Sequence, residues 1–227
     1  PKDPSPLRLG RGAQTEVEER LRAARTNVLH ALSHGARQVV VVTSAGPREG
    51  ASTTAAGLAR VLALSGHRVV LVGGDLRSPS AVGAPGAPGL AEVLVGTARL
   101  SQVLVEGEVP GLELLPAGDM PGNPSELLGG RNMSDLLHHL AADRIVIIDA
   151  PPVCRFTDAV VLAEYAGGVL LVARAGRTSA EELREAALAV GQGGGHMLGV
   201  VLTNVSDLGR GSRSAQTAVT HAESATV

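Results

Sequence analysis

The sequence is poor in aromatic residues, in cysteine and in lysine, and each scarcity excludes something. Phe156 and Tyr165 are the only aromatic side chains in 227 residues, so any core here is built from aliphatic residues and alanine. The single Cys154 rules out an internal disulfide framework and suits a reducing compartment. The longest apolar stretches, Val39 to Val42 and Ile145 to Ile148, are far too short to span a bilayer, and the first residues carry no signal-peptide pattern. Net charge is −2 with no long basic run, so the electrostatic footprint of a nucleic-acid binder is missing. Lys2 is the only lysine, the other cationic residues being arginines, and the cost of that bias depends on where a lysine is needed.

What is present is the composition of a soluble globular domain, 44% hydrophobic and 19% charged, at a length that suits one main core. The chain begins at Pro1 without an initiator methionine, as expected of a fragment whose preceding part lies elsewhere. Residues 1 to 14, with four Pro and Gly positions between Pro4 and Gly12, read as a flexible lead-in. From Thr15, Val17, Leu21, Ala24, Val28 and Leu32 recur at helical spacing behind a Thr15–Glu18 capping box, which predicts an amphipathic helix ending near His34-Gly35. The main domain is expected over 15–205. Residues 206–227 turn to Gly, Ser, Thr and Ala and read as a disordered tail.

Inside the domain, β-branched runs at Gln38–Thr43, Arg68–Val72, Leu112–Leu115, Arg144–Ile148, Gly168–Ala173 and Gly199–Leu202 predict strands. Helical segments lie between most of them, among them Ser52–Ser65, Ser125–Leu128 and Ser179–Val190, while Ser78–Gly89 reads as a loop. Continuous apolar strands alternating with helices imply an α/β fold, a mostly parallel sheet covered on both faces.

Three strand ends carry the chemistry. Val39–Val42 runs into Thr43-Ser44-Ala45-Gly46-Pro47-Arg48-Glu49-Gly50-Ala51-Ser52-Thr53-Thr54 and then a helix, an order that wraps backbone N–H groups and a helix N-terminus around a phosphate. Gly46, Pro47, Arg48, Glu49, Gly50, Ala51, Ser52 and Thr53 are therefore the expected nucleotide-binding residues of a P-loop. Val69–Val72 leads to Asp75, and Ile145–Ile148 leads to Asp149-Ala150-Pro151-Pro152. In a parallel sheet all three ends share one edge, so Ser52, Asp75 and Asp149 are expected to hold one magnesium–phosphate site. Asp75 and Asp149, with Arg48 as a further candidate, are the expected catalytic residues.

The whole series of motifs resembles the bacterial tyrosine kinase family, the cytoplasmic P-loop domain of capsule and exopolysaccharide assembly systems. The resemblance rests on Glu19-Arg20-Leu21-Arg22-Ala23-Ala24-Arg25-Thr26-Asn27, the phosphate loop, Asp75-Leu76-Arg77 with Pro79, and Gly89-Leu90 with Leu94 and Gly96. It continues through Leu115–Gly118, Asn123–Leu128, Asp149–Pro152, Thr157-Asp158-Ala159 and Leu198–Leu202, in order, over about residues 16 to 205. It implies ATP and Mg2+ as ligands, Asn204 as a base contact, and Glu19, Arg22 and Arg25 as interface residues of a ring-like homo-oligomer. It also implies a membrane-spanning polysaccharide co-polymerase as partner, at the inner face of the plasma membrane.

Three departures bear on catalysis. The family's loop lysine falls on Ala51 and the glycine before it in the loop on Arg48. Such a lysine stabilises charge on the transferring phosphoryl group, and its loss costs roughly 10²- to 10³-fold in rate. The first strand-end aspartate falls on Gly73, and the tail from Arg210 to Val227 has none of the tyrosines that the family's kinases phosphorylate on themselves. Tyr165 is expected in a helix as a packing residue. These departures favour a pseudokinase acting as an assembly module; the alternative is a kinase or ATPase that works through Arg48 and Asp75. An ATPase of the partitioning kind is disfavoured by the Glu19–Arg25 helix motif and the Pro151-Pro152 pair.

Overall fold

The computed structural model describes residues 11–33, 37–78, 82–84 and 86–205, with side chains from residue 19 onward. The tail, Pro79, the His34-Gly35 helix end and the first ten residues of the lead-in fall outside the described residues, and so do the Thr15 and Glu18 side chains of the expected capping box. Along the chain run α1 (Arg11–Leu32), β1 (Val39–Ser44), α2 (Ala51–Leu64), β2 (Val69–Gly73), α3 (Leu90–Val95) and α4 (Leu100–Val103). They are followed by β3 (Val105–Glu106), β4 (Leu112–Leu115), α5 (Pro124–Leu128), α6 (Arg131–Ala141), β5 (Ile145–Asp149), α7 (Asp158–Ala163), β6 (Gly168–Arg174), α8 (Ala180–Gln192) and β7 (Met197–Thr203). The strand order is β3-β4-β2-β5-β1-β6-β7, parallel except for the short β3, which pairs antiparallel with β4 at one edge.

β1 shows why its sequence reads as an unbroken apolar run. Val39 and Val41 face the core shared with α3, α6, α7 and α8, whereas Val40 and Val42 face the core under α1 and α2. With both faces covered, the period-two alternation of a half-exposed strand disappears. α1 lies on α2 through Leu21, Val28 and Leu32, and the approach is close because Gly57 has no side chain: a Cβ there would lie 2.6 Å from the Leu21 Cδ1.

The predicted strands, and the helices named between them, are all present within two residues of the expected bounds. Two expectations need correction. α1 begins at Arg11, so residues 11–14 of the expected lead-in are helical. Tyr165 lies in the turn after α7 rather than in a helix; it packs on the core and its hydroxyl donates to the Gly129 carbonyl at 3.0 Å. No helix of the described residues is long and apolar enough to cross a membrane.

Candidate functional site

The carboxyl ends of β2, β5 and β1 stand side by side, with Asp149 in register with Gly73 on one flank and Val42 on the other. The loop from β1 into α2 therefore meets Asp149 from one side, and the turn after β2 meets it from the other. This is the crevice where open parallel sheets bind ligands.

The phosphate loop is held by contacts within the protein. Arg48 (φ 61°) and Gly50 (φ 99°) both adopt left-handed backbone, which suits the glycine but strains the arginine. Three groups from β6, β7 and the β6–α8 connection hold the loop. Arg174 Nη1 donates to the Arg48 carbonyl at 3.2 Å, the Thr203 hydroxyl to the Glu49 carbonyl at 2.6 Å, and the Thr178 hydroxyl to Glu49 Oε1 at 2.6 Å. Glu49 Oε2 in turn accepts from the Gly46 N–H at 3.1 Å. The Glu49 side chain, expected at the nucleotide, is thus buried as an internal brace, and the Gly46 N–H is taken by it; only their main chain remains to line the loop. Gly50 at the N-cap of α2 offers no side-chain acceptor, so the first N–H groups of the helix, at Ala51, Ser52 and Thr53, stay open to an anion.

Ser52 and Thr53 are exposed at the loop mouth, whereas Ala51 packs into the apolar cluster beneath α2. Arg48 is exposed, and Asn204 is exposed just past Thr203 with φ 54°. Pro47 is half-buried beside them.

Asp149 is 2% exposed and its Oδ1 has no hydrogen-bond partner, the one such buried side-chain atom among the described residues. Burial pushes its carboxyl up to about 7, against a hydrogen bond from Ser52 and with help from the negative charge of Asp75. A buried carboxylate oxygen with no donor, next to a serine hydroxyl and a second carboxylate, fits a divalent cation. Burial also raises the Asp75 carboxyl, opposed by N–H bonds from Arg77 (3.0 Å) and Ser78 (3.1 Å) onto its Oδ1. No cluster of three or more His, Cys, Asp or Glu with metal-binding geometry occurs among the described residues.

Gly73 differs from a simple loss. A Cβ built on it would lie 2.8 Å from the Ala117 nitrogen and 3.2 Å from the Ala117 Cα, so the backbone after β4 occupies the space a side chain would need. Sequence reading identified the missing aspartate but not this closure, because Ala117 is distant in the chain. It also missed Arg174, Thr178 and Thr203 as loop braces; only their place at the ends of β6 and β7 pointed to them. On α1, Arg22 bonds Glu19 of the same helix at 2.6 Å on the exposed face, and Arg25 is half-buried. A cavity of about 490 Å³ lies at the opposite edge of the sheet, between Leu29, Leu32, His67, Arg68 and Arg144, away from all this chemistry.

A scan against protein-family models returns no match. Individual proteins do match. Tyrosine-protein kinase YwqD of Bacillus subtilis is 36% identical over 188 residues, covering 81% of this chain and 79% of the relative. The chain belongs to the bacterial tyrosine kinase family. Tyrosine-protein kinase ptk of Acinetobacter johnsonii is 34% identical over 82% of this chain, which spans only 26% of that relative. Among solved structures, the kinase domain of the Escherichia coli tyrosine kinase ETK superposes with a TM-score of 0.77 at 30% identity, over 84% of this chain and 78% of that one. The fold is therefore an α/β P-loop fold, and Ala51, Arg48 and Gly73 stand where the sequence resemblance leads one to expect lysine, glycine and aspartate.

Proposed function

We propose that this chain is a pseudokinase domain, a nucleotide-responsive assembly module that regulates polysaccharide chain length or export rather than a phosphoryl-transfer catalyst. One observation carries the reading: the phosphate loop is folded and braced while Ala51, at the position of the charged group, is packed among apolar residues, with no lysine anywhere among the described residues. The open N–H groups at the start of α2 would take the phosphates of ATP or ADP, and Asn204 would lie along the base. Ser52, Asp149 and Asp75 would hold Mg2+, whose role is to neutralise phosphate oxygens.

Without the lysine, phosphate charge is offset by the metal and the helix N-terminus alone. One charged hydrogen bond contributes about 1.5–3 kcal/mol. Calorimetry with magnesium–ADP should therefore show weak binding to the parent and about 10- to 100-fold tighter binding to Ala51→Lys. Equal affinities for the two proteins would contradict the reading.

The outward face of α1, with Glu19, Arg22 and Arg25, would form the ring contact, beneath a membrane-bound co-polymerase at the inner face of the plasma membrane. A ring of this kind uses a heterologous contact that closes by rotation. A second reading, a working kinase or ATPase, is favoured by the exposed Arg48 at the loop apex and by the retained Asp75 and Asp149. It requires Arg48 to reach the phosphates from a strained backbone, as a planar guanidinium rather than an ammonium.

A further inference from the structure

Three motifs that the site above leaves without a role converge on one point. Arg77, two residues after Asp75, reaches across to Asp158 at the start of α7 with a two-pronged contact, Nε to Oδ2 at 2.7 Å and Nη2 to Oδ1 at 3.1 Å. Its Nη2 also donates to Ser125 in α5 at 3.1 Å, and the Ser125 hydroxyl bonds the same Asp158 oxygen. The guanidinium stacks over the Phe156 ring with 4.6 Å to its centroid. Asp158 is fully buried, and a fork-shaped cation with an aromatic face beneath it meets its carboxylate.

The clamp bears on Asp75 through the backbone. The turn from Asp75 to Ser78 is closed by Asp75 Oδ1, which accepts the N–H groups of Arg77 and Ser78 and leaves Oδ2 for a ligand. Anchoring the Arg77 side chain to α5 and α7 fixes the turn, and with it the place of the carboxylate beside Asp149. Because Gly73 brings no carboxylate, Asp75 is the only acidic group that the β2 end supplies.

We propose that Arg77 and Asp158 are positioning residues of the metal site, holding Asp75 where it can complete the coordination of a divalent cation with Asp149 and Ser52. The proposal rests on the metal-site reading given above. Supporting groups behind metal ligands change affinity by about 10- to 100-fold when removed.

The test is a double-mutant cycle on the full chain, with Mn2+ affinity in the presence of ADP measured by electron paramagnetic resonance. Arg77→Lys keeps the charge but loses the fork, and should weaken Mn2+ about tenfold while leaving the circular dichroism spectrum unchanged. In an Asp75→Asn background the same change should have no further effect, because the residue through which it acts has gone. The pair Arg77→Gln with Asp158→Asn, which leaves no buried charge, serves if Arg77→Lys does not fold. Additive losses in the cycle, or a folded variant with parental Mn2+ affinity, would overturn the clamp. A parent that binds no Mn2+ would instead overturn the metal site itself, and the clamp's role with it.

Discussion

The two flanks of the crevice each carry a small residue where the resemblance leads one to expect a charged one, and the space around the two positions differs. On the phosphate-loop flank, Ala51 begins α2 in a loop held by Arg174, Thr178 and Thr203, and the surrounding backbone keeps the shape of a phosphate cradle. On the acidic flank, the Ala117 backbone occupies the space that a side chain at Gly73 would need. On the first flank a change of side chain alone would restore a charge. On the second, the packing of β2 against the end of β4 stands in the way of any side chain at Gly73.

The sharpest way to break that comparison is to restore both charges. Gly73→Asp should destabilise the protein by about 2–4 kcal/mol, since even a Cβ clashes with main-chain atoms. Ala51→Lys, which enters a buried apolar position but has a flexible stem that can carry its ammonium out to the loop mouth, should cost less, about 1–2 kcal/mol. Chemical denaturation of the two variants decides it; similar small losses in both would remove the asymmetry.

Asp149 gives the next largest effect. Its carboxyl titrates near 7 in the fold against about 3.9 in an unfolded chain. The folded state therefore binds the proton more tightly, and stability of the metal-free protein should fall as pH rises from about 4 to 7. Asp149→Asn should accordingly be more stable than the parent by about 1–3 kcal/mol at pH 8, with the advantage shrinking toward pH 5, as thermal unfolding in EDTA would show. A pH-independent difference would point away from a buried charge.

Arg48→Gly should stabilise by about 0.5–1 kcal/mol, because a left-handed backbone costs arginine more than glycine. No gain in melting temperature would mean that the Arg48 side chain contributes what its backbone loses. The smallest effect is expected on α1: Arg22→Ala should leave monomer stability within about 0.5 kcal/mol, since its contact with Glu19 is an exposed pair within one helix. Solution mass of the Arg22→Ala, Arg25→Ala variant beside the parent then tests the ring separately from the fold.

The parallel sheet was legible because buried strands such as Val39–Val42 leave an unmistakable apolar signature, and the site's location followed from motif order along that sheet. The short β3 was not, since Val105-Glu106 is exposed and has no apolar pattern. Within the site, Asp75, Asp149 and Ser52 were named from their strand ends and stand together. What sequence did not carry was contact between distant segments. Glu49 was counted among the nucleotide contacts although Thr178, 129 residues away, draws its carboxylate inward. Asp158 lies 81 residues from Arg77, and nothing local in either motif announces the other. Gly73 looked like an empty position until Ala117 was seen beside it.

Turnover is the most direct measure of the central claim that the loop has kept its form and lost its catalytic charge. Purified protein, incubated with magnesium–ATP and a tyrosine-containing acceptor, should release no phosphate and label no tyrosine above the level seen with Asp149→Asn. Magnesium-dependent hydrolysis or tyrosine phosphorylation that Asp149→Asn abolishes would contradict it.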